Sequence, residues 1–155
     1  MILSNKLFFL TNFKILKRLK LKNKNLQIVH NDFNHSNIII NNNKVKFIDI
    51  DAICLDYLKQ TIAQLFFKIT RHSIFANKNS LYEFKKNHLP KIIKILLKDH
   101  RLYGSKLELY QFCILRTLSD IANIIEFYKI KRDNRYMYDL EKRIHNLFEV
   151  YCILY

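Results

Sequence analysis

The sequence predicts an α+β fold, mainly α, on three observations. A short β-prone run at Leu26 to Val29 is followed by a pair of runs around a polar turn. Apolar residues then recur at helical spacing through almost everything after Asp51, and a stripe of the same period precedes the first run. At 155 residues the chain reads as one domain: a leading helix over 1–25, a loop and hairpin over 26–51 and a helical subdomain over 52–155.

Each element has its own signal. Phe9, Phe13, Leu16 and Leu19 describe an amphipathic helix with lysines on its other face, ending near Asn23-Lys-Asn25. Asn37 to Ile40, Asn41-Asn-Asn43 and Lys44 to Ile48 form a hairpin signal, with Val45 and Phe47 alternating. After Asp51 the expectation is helical throughout. Leu58, Ile62, Leu65 and Ile69 mark one helix, a second starts around Leu81, and Pro90 opens a third that runs through Leu97. Ser105 and Glu108 form a capping-box signal ahead of the longest stripe, Tyr110, Ile114, Leu118, Ile121, Ile125 and Tyr128. A charged loop from Lys129 to Arg135 precedes a last helix with Leu140, Ile144, Leu147, Tyr151 and Leu154 on one face.

Composition narrows the function. Half of the residues are apolar, which argues against disorder, and no apolar run approaches the roughly 18 residues that cross a bilayer. The net charge of +14 would favour an anionic partner such as nucleic acid, but it comes with an excess of Lys, Asn and Ile that points to coding bias. Nucleic acid is therefore not the expected partner. Cys54, Cys113 and Cys152, odd in number and in apolar surroundings, read as buried thiols in a reducing compartment, and the expected location is the cytoplasm. The N-terminus has no small-residue cleavage site and is not read as a signal peptide.

The chemistry is concentrated between His30 and Asp51. The segment reads His30-Asn-Asp32-Phe-Asn-His-Ser-Asn37, then the hairpin, then Ile48-Asp49-Ile-Asp51. Phosphoryl transfer asks for a carboxylate near the attacking hydroxyl and for oxygen ligands to magnesium on the nucleotide phosphates. Asp32, Asn37 and Asp49 are of those types, and a hairpin whose strands lie about 4.8 Å apart returns Asp49 beside Asn37.

These residues resemble the catalytic segment of the aminoglycoside phosphotransferase and choline kinase superfamily, relatives of protein kinases that phosphorylate hydroxyls on small molecules. The resemblance covers His30-x-Asp32-x-x-x-x-Asn37 and Ile48-Asp49-x-Asp51. It implies the C-terminal helical lobe of a protein-kinase-like fold, with the small hairpin carrying the catalytic loop. It further implies ATP as co-substrate, Mg2+ as cofactor and a small-molecule hydroxyl as acceptor. Asp32 would be the catalytic base or hydroxyl-orienting residue and His30 would brace the loop. Asn37 and Asp49 would hold the metal and nucleotide, with Asp51 as a second acidic residue at the metal. Asn31 and Ser36 stand where the family commonly has Gly, and Thr61, with Asp56 and Gln60 nearby, stands where many members have a bracing Asp. The 29 residues before the motif carry no glycine-rich strand pair and no strand Lys. The N-terminal ATP-binding lobe is thus expected to be absent, or supplied as a separately encoded chain.

Other readings stand beside this one. The chain is alternatively a catalytically inactive remnant or a partner-binding lobe, or a basic helical protein that binds nucleic acid. His30, Asp32 and His35 are weighed as a transition-metal site without a convincing fourth ligand. Lys14 to Lys24 reads as the solvated face of its helix, and Tyr136, Tyr138 and Tyr151 read as packing residues. Arg71 and His72 receive no role.

Overall fold

The computed structural model describes residues 26–33, 35–76, 80–99 and 102–155, together with Lys14, Leu16, Lys17 and Leu19. The stripe expected for the leading helix falls mostly outside them. The described chain is mainly helical, with two small two-stranded sheets, as the sequence predicts for an α+β fold dominated by α. Its contacts group it into two compact units, Lys22–Leu109 and, at the C-terminal end, Tyr110–Tyr155.

The first unit holds both sheets. Strand β1 (Leu26–His30) pairs antiparallel with β4 (Ile53–Tyr57), with His30 opposite Ile53 and Val29 opposite Cys54. Strands β2 (Ile38–Asn41) and β3 (Lys44–Phe47) form the expected hairpin. Its turn takes positive φ at both central residues, Asn42 at 45° and Asn43 at 60°. Asn tolerates that region better than most side chains, and a two-residue turn of this hand matches the twist of the strands it joins.

Strand β4 corrects the expectation that everything after Asp51 is helical. Ile53-Cys-Leu-Asp-Tyr57 is a short apolar run of ambiguous period, and pairing with β1 settles it as strand. Helix α1 (Leu58–Ala76) then follows directly and packs against β1, β4 and the 3-10 turn at His35–Asn37. Its inward face differs from the predicted stripe. Ala63, Phe66 and Thr70 are buried, whereas Leu58, Ile62 and Leu65 are only partly covered and Ile69 is 41% exposed. The offset of one residue is a rotation of about 100° about the helix axis. Ala63 and Thr70 are both fully buried, and Gln60, Thr61 and Gln64 are buried beside them.

Helix α2 (Leu81–Asn87) begins where expected, because Ser80 and Glu83 form a reciprocal capping box. Helix α3 (Leu89–Lys98) has Pro90 in its first turn, where the missing N–H costs no hydrogen bond. Buried Phe84 and Leu89 anchor the pair, and fully buried Tyr103 donates from its hydroxyl to the Lys59 carbonyl. Helix α4 (Lys106–Lys131) is capped by Ser105, whose Oγ accepts from Glu108 N at 3.1 Å. The Glu108 carboxylate reaches past the expected box to Gly104 N at 2.7 Å, and its other oxygen takes Lys59 Nζ at 2.6 Å.

In the second unit the core is formed by Tyr110, Phe112, Cys113 and Ile114 of α4 with Leu147, Val150, Ile153 and Leu154 of α5 (Arg135–Leu154). Asp120 bridges Arg116 and Arg143 at 3.2 Å each, tying the two helices together. The α4 stripe loses its cover toward the C-terminal end, where Ile125 is exposed, and the helix runs on to Lys131, three residues into the expected loop. Only Cys113 of the cysteines is buried, since Cys54 is partly covered and Cys152 exposed. Cys152 falls on the outer side of α5, between the buried positions Val150 and Ile153. Tyr136 is partly covered, but Tyr138 and Tyr151 are exposed. No helix among the described residues is long and apolar enough to cross a membrane.

Candidate functional site

The site forms where β1 ends. Val29 is buried and anchors the strand, and Asn31 N donates to the Ala52 carbonyl at 2.8 Å, so the loop leaves the sheet at a fixed point. Phe33 packs on the Phe47 ring with centroids 5.3 Å apart, and on the His30 ring at 6.4 Å. The loop is therefore held to β3 by aromatic contact as well as by the chain.

Asn37 organises what lies between. It closes the 3-10 turn at His35–Asn37, is only 8% exposed, and its Nδ2 donates to the Asp32 backbone carbonyl at 2.9 Å and to Asp32 Oδ2 at 3.0 Å. With the amide nitrogen committed, Oδ1 is the acceptor end, and Ser36 Oγ lies 3.3 Å from it. The Asn37 carbonyl accepts from Ile48 N at 3.1 Å, which brings the residue before Asp49 against the loop that follows β1. His30 completes this junction, with Nε2 2.9 Å from the Ile48 carbonyl. A carbonyl only accepts, so a proton resides on Nε2, and buried Nδ1 finds no hydrogen-bond partner among the described residues.

Asp49 adopts φ 61° and ψ 53°, the left-handed region. For a residue with a Cβ this conformation costs on the order of 1 kcal/mol, and such strain concentrates at functional positions. Asp49 and Asp51 flank the entry to the 3-10 turn at Ile50–Ala52, and both are exposed. Asn37 Oδ1 and these two exposed carboxylates are hard oxygen donors of the kind that Mg2+ takes while retaining several waters. The donor set fits that ion. Among the described residues no three of His, Cys, Asp and Glu group to hold a metal, and the His35 side chain of the transition-metal reading lies outside them.

The sequence reading missed one residue. Lys68, from α1, places Nζ 2.8 Å from Asp32 Oδ1, so each carboxylate oxygen of Asp32 has its own donor. Both side chains are partly exposed, and such pairs contribute about 0–1 kcal/mol to stability. The contact therefore fixes the orientation of the carboxylate more than it stabilises the fold. A signal was present, since Lys68 interrupts the apolar run Leu65-Phe-Phe67 and Ile69.

Thr61 is buried and its hydroxyl makes no hydrogen bond among the described residues, and the Asp56 carboxylate accepts from Tyr57 N at 2.7 Å. Arg71 lies over the Phe75 ring, 5.7 Å from its centroid. The basic segment Lys14 to Lys24 falls almost entirely outside the described residues. Comparisons of the chain with protein-family models, with characterised proteins and with solved structures found no match.

Proposed function

We propose that this chain is the C-terminal lobe of a kinase-like phosphotransferase, similar to the aminoglycoside phosphotransferase and choline kinase superfamily, that phosphorylates a hydroxyl on a small molecule with ATP. The observation that carries the reading is the bonding of Asn37: its amide grips Asp32 while its carbonyl holds Ile48, next to Asp49. Residues distant in the motif are thereby drawn to one point.

In this reading Asp32 accepts a hydrogen bond from the acceptor hydroxyl and directs its oxygen at the γ-phosphorus of ATP. The new O–P bond forms as the bond from γ-phosphorus to the bridging oxygen breaks. ADP leaves with that electron pair, and the hydroxyl proton passes to Asp32. His30 and Asn37 hold the loop in position. Asn37 and Asp49, with Asp51 beside them, would hold Mg2+, which neutralises phosphate charge when bound. An N-terminal lobe, on a longer form of this chain or on a separate one, would add further contacts to the nucleotide.

Isothermal titration of ATP with and without Mg2+, on the wild type and Asp49→Ala, tests this. The reading expects binding that requires Mg2+ and is lost in the variant; magnesium-independent or unaltered binding contradicts it. A second reading, a lobe that works by binding a partner without catalysis, is favoured by Ile28 and Leu55. They face each other across β1 and β4 at 79% and 66% exposure.

A further inference from the structure

We propose that Lys68 is a positioning residue for phosphoryl transfer at this site: its ammonium fixes one oxygen of Asp32 so that the other is presented to the acceptor hydroxyl. The inference rests on the phosphotransferase reading and names a residue that the motif does not contain. Residues 30–37 include no Lys or Arg, so the loop has no cation of its own with which to hold its carboxylate. Helix α1 supplies one from 36 positions downstream.

The geometry accounts for both oxygens of the carboxylate. Lys68 Nζ takes Oδ1 at 2.8 Å and Asn37 Nδ2 takes Oδ2 at 3.0 Å. Two donors on different oxygens, one from a helix and one from the 3-10 turn, leave the carboxylate plane a single orientation. A carboxylate oxygen carries two lone pairs, so accepting from Asn37 does not by itself bar it from accepting from a hydroxyl. The helix is itself placed by its packing on β1 and on the turn that carries Asn37, so the ammonium is aimed by the fold rather than by the loop. The burial of α1 fits this task. Its inward face is Ala63, Phe66 and Thr70 instead of the more apolar neighbouring stripe.

The test compares the full-length wild type, Lys68→Met and Lys68→Arg. Three quantities are measured: the Kd for Mg-ATP, the rate of phosphoryl transfer from Mg-ATP to water, and the side-chain amide resonances of Asn37. We expect the methionine variant to keep its Kd within about threefold while transfer falls about a hundredfold, the scale of a misplaced reacting group. Its Asn37 resonances should shift, and Lys68→Arg should restore both the rate and the resonances in large part. A Lys68→Met chain with unchanged transfer and unchanged Asn37 resonances overturns the role of Lys68 alone. A wild type that binds no Mg-ATP overturns the phosphotransferase reading and this inference with it. If Mg-ATP binds and no transfer to water is seen, the Asn37 resonances decide: a shift in the methionine variant reversed by arginine supports the role, and no shift overturns it.

Discussion

Asn37 Nδ2 donates to both the backbone carbonyl and the carboxylate of Asp32, at 2.9 and 3.0 Å, across the five residues that separate them. One buried amide thus sets both the path of the loop and the direction of its carboxylate. Replacing it by alanine leaves the Asp32 carbonyl without that donor and should cost about 1–3 kcal/mol in urea unfolding. Asn37→Asp should be worse than Asn37→Ala near neutral pH, because it places a second carboxylate against Asp32. Equal midpoints for the two variants would contradict the arrangement.

Asp49 holds a left-handed backbone at φ 61°. Glycine accepts that conformation without a Cβ clash and alanine does not, so Asp49→Gly should be more stable than Asp49→Ala by about 1 kcal/mol. Both should lose magnesium-dependent nucleotide binding. Thermal unfolding paired with the ATP titration separates the backbone effect from the carboxylate effect.

Burial pushes the Cys113 thiol far above its ordinary range. The folded chain therefore keeps that proton where the unfolded chain releases it, above about pH 8.5. Its contribution is fully present below that pH and falls as pH rises above it, so wild type should lose more stability than Cys113→Ala between neutral and alkaline pH. Alkylation read by mass spectrometry should modify exposed Cys152 in the native protein and reach Cys113 only after denaturation.

Fully buried Tyr103 donates its hydroxyl to the Lys59 carbonyl. Tyr103→Phe should cost about 1 kcal/mol in denaturant unfolding without altering Mg-ATP affinity. Tyr82→Phe, at a residue 73% exposed, should leave both unchanged.

What could be seen in the sequence divides along the range of the interactions involved. The cap at Ser105, the Asn42-Asn43 turn and the Asp32–Asn37 loop are set by residues within a few positions of one another, and local pattern reveals them. Strand β4 was not legible because its partner β1 lies well upstream, and five residues of mixed character carry no period of their own. The burial of α1 was misread because Leu58, Ile62, Leu65 and Ile69 form the more apolar stripe, whereas the buried positions are Ala63, Phe66 and Thr70 together with Gln60, Thr61 and Gln64. Lys68 escaped for the same reason as β4: nothing in a loop sequence indicates which helix will lend it a cation.

The central claim is that Asn37 and Asp49 hold the metal of a metal–nucleotide complex beside Asp32. Substituting Mn2+ for Mg2+ in the presence of ATP and recording amide spectra of the labelled chain tests it most directly, since paramagnetic broadening falls steeply with distance from the ion. The account predicts that resonances of Asp32, Asn37 and Asp49 broaden first. Broadening that spares Asn37 and Asp49, or that appears equally with Mn2+ in the Asp49→Ala chain, would contradict it.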